Sequence, residues 1–274
     1  TVERLANDYY ASVFSAPMGT GDTNKAVQAW LNTNTGGLLA DAAKNIETKP
    51  QTVMLLLSAL YFKDRWSDEF YDGATSEDTF TAADGTAQRA DFMHKTEDRA
   101  SYVRGEGYTV AQLSFRGGER MIFLLPDEGT ALTPLLRGEA ALTDLFTDVY
   151  DNDEAQTAKL VWSVPKFDVS SDLELTKAME SIGVTDVFDF ERADFSPLAD
   201  FDELAAVTQV QHAARVKIDE EGCEAAAFTA IGVAESAMPE DLPVVEMELD
   251  RPFAFAITGA DGLPLFVGAV NTME

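Results

Sequence analysis

The run Glu220-Glu221-Gly222-Cys223-Glu224-Ala225-Ala226-Ala227-Phe228-Thr229 constrains this chain more than any other segment, because small side chains recur there with nothing large to bury. Under strand alternation Cys223, Ala225, Ala227 and Thr229 share one face, so the stretch fits between two existing strands without steric conflict. Taken alone, Glu224 to Ala227 has high helix propensity, and Gly222 would sit just before such a helix. Context reverses that preference. Val216-Lys217-Ile218-Asp219 alternates as a strand immediately upstream, and the stretch downstream to Pro243 shows no periodic apolar face. The pattern predicts a strand feeding a long loop that can itself become a strand.

Composition narrows the functional classes. A chain of 274 residues with 46% hydrophobic content can bury a sizeable core, and no low-complexity linker divides it, so a single domain over 1–274 is expected. Forty-eight acidic against twenty basic residues leave a net charge of −28, which repels nucleic acid and anionic membrane surfaces. No apolar run approaches the ~18 residues of a membrane span, and Thr1-Val2-Glu3-Arg4 lacks the basic-then-apolar order of a signal peptide. The single cysteine, Cys223, excludes an internal disulfide and reads as a small buried side chain rather than a redox group.

Catalytic chemistry finds little support. Only two histidines exist, His94 and His212, and no Gly-x-Ser-x-Gly elbow is present, so a hydrolase reading lacks a nucleophile with its base. A metal centre fails on the same count, and no cofactor motif is found. His94 and His212 both read first as structural strand residues.

Elements can be placed coarsely. Asp22 or Thr23 caps a helix carrying Ala26, Val27, Trp30 and Leu31 and ending near Gly36-Gly37. Thr52 to Phe62 reads as a central strand buried on both faces. Alternating runs at Asp78 to Thr81, Ser101 to Val103, Thr109 to Phe115 and Arg120 to Leu125 predict antiparallel hairpins, with Asp84-Gly85 and Gly117-Gly118 as turns. One or two helices are expected over Leu132 to Phe146, a strand over Lys159 to Phe167 and a helix over Leu173 to Ile182. Strands at Val244 to Leu249, Phe253 to Ile257 and Leu263 to Val270 close the chain.

The run at 220–229 resembles the hinge of the serpin family, which has the form Glu-x-Gly-x-Glu-Ala-Ala-Ala-x-Thr. The resemblance continues in Leu60-Tyr61-Phe62-Lys63-Asp64-Arg65-Trp66, in Phe123-Leu124-Leu125-Pro126-Asp127 and in Val164-Pro165-Lys166-Phe167. It closes with Asp250-Arg251-Pro252-Phe253-Ala254-Phe255 and Pro264-Leu265-Phe266-Val267-Gly268, so ordered blocks span the whole chain. The resemblance implies an α+β serpin fold: a large mixed central β-sheet, further antiparallel sheets, surrounding helices and a mobile reactive-centre loop. It also implies that the N-terminal helices and first strands of the family domain lie outside this sequence.

By the same resemblance, Glu220 and Lys166 form an ion pair where the loop meets the sheet, with Trp66 beside it. His212 occupies the position of a histidine that bonds across the opening of the sheet, usually to an asparagine. This chain has Ser58 there, which implies a looser latch. The hinge comprises Glu220, Gly222, Cys223, Glu224, Ala225, Ala226, Ala227 and Thr229. The scissile bond falls at Ser236-Ala237 or, one position earlier, Glu235-Ser236, and Val233-Ala234 favours an elastase-like protease. The function implied is suicide-substrate inhibition of a serine protease by a monomer outside the cell or at its surface, the protease being held as a covalent acyl complex. The alternatives are a non-inhibitory carrier or chaperone, and a reversible peptide-binding module.

Overall fold

The computed structural model describes residues 2–37, 44, 46–50, 52, 55, 57–58, 62–197, 205–207, 210–223 and 242–273. The chain divides into two compact units, residues 1–61 with 170–215 and residues 62–169 with 216–274.

In the first unit a helix spans Gly21–Asn34, capped by Thr20 rather than by Asp22 or Thr23. The Thr20 hydroxyl accepts the amide of buried Thr23, and Thr23 turns its own hydroxyl back to the Pro17 carbonyl at 2.8 Å, so both threonines close the first turn. Asn24 on this helix receives the amide and hydroxyl of Thr48 at 2.9 and 2.7 Å. The expected helix over 173–182 is shorter, Thr176–Ser181, because the preceding residues remain extended and the Glu174 carboxylate takes the Thr176 amide. The long apolar run expected as a strand, 52–62, lies largely outside the described residues.

The second unit is built on an eight-stranded sheet. Its strands are β2 (Ser76–Thr81), β3 (Ala87–Gly105), β4 (Tyr108–Ser114), β5 (Arg120–Pro126), β6 (Gln156–Pro165), β10 (Val244–Glu248), β11 (Phe253–Thr258) and β12 (Pro264–Val270). The order is β10-β6-β3-β4-β5-β11-β12, with β2 paired to β3. All pairs are antiparallel except β10 with β6, which makes the sheet mixed. The short run expected at Ser101 to Val103 is the end of the 19-residue β3, which pairs in turn with β2, β6 and β4. The turns fall at Gly85 and Gly118, both with positive φ, 85° and 98°, where a Cβ would be strained.

Alternation fails in β4, β5 and β11 because both faces are covered: every residue of β11 is buried. The helix Glu139–Phe146 lays Ala141 and Leu145 over Val110, Ile122, Leu124, Ala254 and Ala256, forming one side of the core. On the other side Phe123 meets Trp162 and Phe253 at ring separations of 5.9 and 6.1 Å. Burying side chains of this size contributes ~1.5–3 kcal/mol each, so this sheet holds the unit together.

A second sheet has four strands in the order β1-β9-β8-β7, where β1 is Asp64–Arg65, β7 Phe167–Glu174, β8 Gln211–Ile218 and β9 Gly222–Cys223. The strand expected across Lys159 to Phe167 therefore splits at Lys166. Its amide bonds the Asp91 carbonyl at 2.8 Å, and the chain passes from one sheet to the other. Strand β8 and strands β10 to β12 belong to different sheets.

Candidate functional site

Where β8 ends, the chain turns through Asp219, Glu220 and Glu221 and re-enters the small sheet as β9. Asp219 shapes the turn: its amide donates to the Gly222 carbonyl at 3.0 Å, while its carboxylate accepts the amides of Glu221 and Gly222 at 3.0 and 3.2 Å. Strand β9 is antiparallel to both neighbours, Cys223 lying opposite Asp64 of β1 and opposite Ile218 of β8. Gly222 must be glycine here. A Cβ would lie 2.2 Å from the Asp64 carbonyl oxygen and 2.7 Å from the Arg65 Cα, and its φ is 157°.

Trp66 and Glu220 fasten the turn to its surroundings. The Trp66 ring N–H donates to the Asp219 carbonyl at 2.9 Å, and the ring stacks on Phe115 at 4.4 Å. The amides of Trp66 and Phe70 donate to the carbonyls of Glu221 and Glu220 at 2.9 and 3.0 Å. Lys166 Nζ stands 3.3 Å from Glu220 Oε1, and the Thr75 hydroxyl donates to the same oxygen at 2.7 Å. Burial pushes the Glu220 carboxyl upward, but the Thr75 hydroxyl, its own backbone and Lys166 together outweigh it. The group is held below its ordinary value of 4.5.

Thus Trp66, Lys166, Glu220, Gly222 and Cys223 come together at the turn. Cys223 is buried, with Sγ 3.9 Å from the Phe62 carbonyl. Ser58 and His212 are both exposed, and no hydrogen bond links them among the described residues. Glu224, Ala225, Ala226, Ala227, Thr229, Glu235, Ser236 and Ala237 lie outside the described residues.

Sequence reading missed three participants. Thr75 carries no motif, and its role follows only from its proximity to Glu220. Arg65 and Glu221 pair at 3.0 Å across 156 positions, and the one available signal was that each flanks a residue already singled out, Trp66 and Glu220. Among the described residues no group of three or more histidine, cysteine or carboxylate side chains is placed to hold a metal ion, and no helix is long and apolar enough to cross a membrane.

Comparison with known proteins places the chain among relatives of one family. Mouse Serpin B11 is 30% identical over 255 residues, covering 92% of this chain and 64% of its own length. Pig plasminogen activator inhibitor 1 is 29% identical over 255 residues, covering 89% and 60%. The structure of human thyroxine-binding globulin complexed with thyroxine superposes with a TM-score of 0.83 at 23% identity, covering 99% of this chain and 70% of that one. The chain spans about three fifths of the length of the curated relatives it matches. A family model described as "Serpin (serine protease inhibitor)" matches residues 2–273. That match shows that the chain belongs to the serpin family.

Proposed function

We propose that this serpin inhibits a serine protease outside the cell or at its surface by offering the loop at 224–241 as a substrate and inserting the cleaved loop into the four-stranded sheet. The observation that carries the reading is β9. Gly222–Cys223 stand between β1 and β8, antiparallel to both, which supports reading them as the first rung of an inserted strand.

The register says where further rungs fall. Extending the pairing of Cys223 with Ile218 and Asp64 sets Ala225 opposite Val216 and Phe62, and Thr229 opposite His212 and Ser58. Alanines and a threonine on the inward face demand no cavity larger than a strand creates. The Thr229 hydroxyl would arrive between His212 and Ser58, which suits a short serine better than a bulky amide. Continuing to the start of β8 at Gln211 takes in residues 224–230.

The chemistry then needs nothing from this chain but a peptide bond. The protease serine attacks at Ser236-Ala237, or at Glu235-Ser236, and forms an acyl-enzyme. Insertion drags the protease away from its bound substrate geometry, and displaced oxyanion donors no longer support deacylation. Val233-Ala234 and Ser236-Ala237 suit an elastase-like specificity pocket. A non-inserting carrier would be marked by bulky or charged inward side chains, which Cys223, Ala225, Ala227 and Thr229 do not supply, and a reversible peptide-binding module would leave the loop uncleaved.

Incubation with elastase followed by a denaturing gel tests the reading. A band at the summed mass of protease and inhibitor is expected. Cleavage without that band, or an untouched chain, across a panel of serine proteases overturns it.

A further inference from the structure

The two glutamates of the turn are held from opposite sides. Glu220 is taken by Lys166 and Thr75. Glu221 reaches the other way: its Oε2 lies 3.0 Å from Arg65 Nη2, and Arg65 Nη1 lies 3.6 Å from Glu69 Oε1. The same Glu69 oxygen is 2.9 Å from Arg116 Nη2, and Arg116 Nε donates to the Trp66 carbonyl at 3.3 Å. Four side chains of alternating charge thus run from the hinge turn to the residue that follows β4 and its neighbour Phe115. Arg65, Glu221 and Glu69 are 19%, 29% and 21% exposed, so solvent screens them less than a free surface pair. In a chain with only twenty basic residues against forty-eight acids, two arginines are committed to this one spot.

Backbone bonds from Trp66, Phe70 and Asp219 reach the turn, and the side chains that fasten the same turn bear directly on how Gly222–Cys223 are seated. We propose that Arg65 is a positioning residue for the loop: gripping Glu221 and braced by Glu69 and Arg116, it keeps Gly222–Cys223 seated as the preformed rung on which insertion extends. Its consequence for inhibition rests on the reading proposed above, whereas the seating itself does not. Arg65 and Glu221 lie outside the part of the chain that travels, so the contact persists before and after insertion and opposes only expulsion of β9. Loss of the contact makes insertion start again from an unpaired hinge. More acyl-enzyme is then hydrolysed before it is trapped.

Hydrogen exchange on the full chain decides the point, with E221Q as the isosteric variant and R65A as the truncation. Both are expected to exchange about three- to tenfold faster at residues 222–223, with β5 and β11 unchanged. The R65K variant, which keeps the charge but loses the fork to two carboxylates, falls between. Raising salt from about 0.05 to 1 M accelerates the same segment in the unmodified protein but not in E221Q, a response that a purely steric role would not show. Stoichiometry against elastase rises in parallel with exchange. Unchanged exchange at 222–223 in both E221Q and R65A overturns the proposal. Failure of the unmodified protein to form a covalent adduct overturns the inhibitory reading while leaving the exchange result to judge the clamp.

Discussion

The two sheets of this molecule are held by different means. The eight-stranded sheet is joined by long registered ladders, and its central strands β5 and β11 are buried almost throughout. In the four-stranded sheet, Gly222–Cys223 are seated by one turn, a stacked tryptophan and two ion-paired glutamates. Dense apolar packing resists change because every removed atom leaves a cavity. A sheet fastened at this turn by polar side chains would, under the proposed insertion, be extended without repacking that core. Packed apolar area is thus concentrated in the first sheet, and the proposed change would fall in the second.

Core truncation should separate the two most strongly. Phe253→Ala, in a side chain that meets Phe80, Phe123 and Phe167, is expected to cost about 3–5 kcal/mol, read as a lower urea midpoint. Gly222→Ala should cost less globally, about 1–3 kcal/mol, yet abolish protection of residues 222–223, because its Cβ meets β1 backbone at 2.2 Å. A larger global loss from Gly222→Ala than from Phe253→Ala would reverse the comparison.

Legibility followed the same division. Hairpins of the large sheet showed in the sequence because strand-forming runs end at Gly85 and Gly118, where a turn needs positive φ. β3 did not read as one strand, since Arg89, Lys95, Glu97, Asp98 and Arg99 interrupt its alternation; a strand lying between β2, β6 and β4 is held by its partners rather than its own pattern. Glu220 with Lys166 was accessible only through family resemblance, 54 positions apart, and Glu221 with Arg65 only through the position of each beside a residue that the resemblance marks. Long-range polar pairs depend on the finished fold and carry no local signature.

Two pH effects sharpen the contrast further. Glu220 is depressed below 4.5 in the fold, so its contribution is present above the unfolded value and is lost as pH falls through the folded one. The Glu220→Gln variant should therefore lose less stability than the parent between pH 6 and pH 3, by about 0.5–1 kcal/mol, in urea titrations at each pH. On the outer face of the large sheet, Glu248 is raised above 4.5 by burial, Glu246 and Asp250. A raised carboxyl favours the fold below its unfolded value and loses that advantage as pH rises through the folded one. Glu248→Gln is therefore expected to stabilise at pH 7 by a few tenths of a kcal/mol, the smallest of these effects and opposite in sign.

Nicking the protein within residues 231–241 and comparing its thermal midpoint with that of the intact chain asks whether the small sheet takes up its own loop. Insertion of residues 224–230 adds ladder bonds on two sides, each contributing about 1 kcal/mol, so the midpoint should rise on the order of 10 °C. An unchanged or lower midpoint in the nicked protein, with residues 224–230 still exchanging freely, would contradict it.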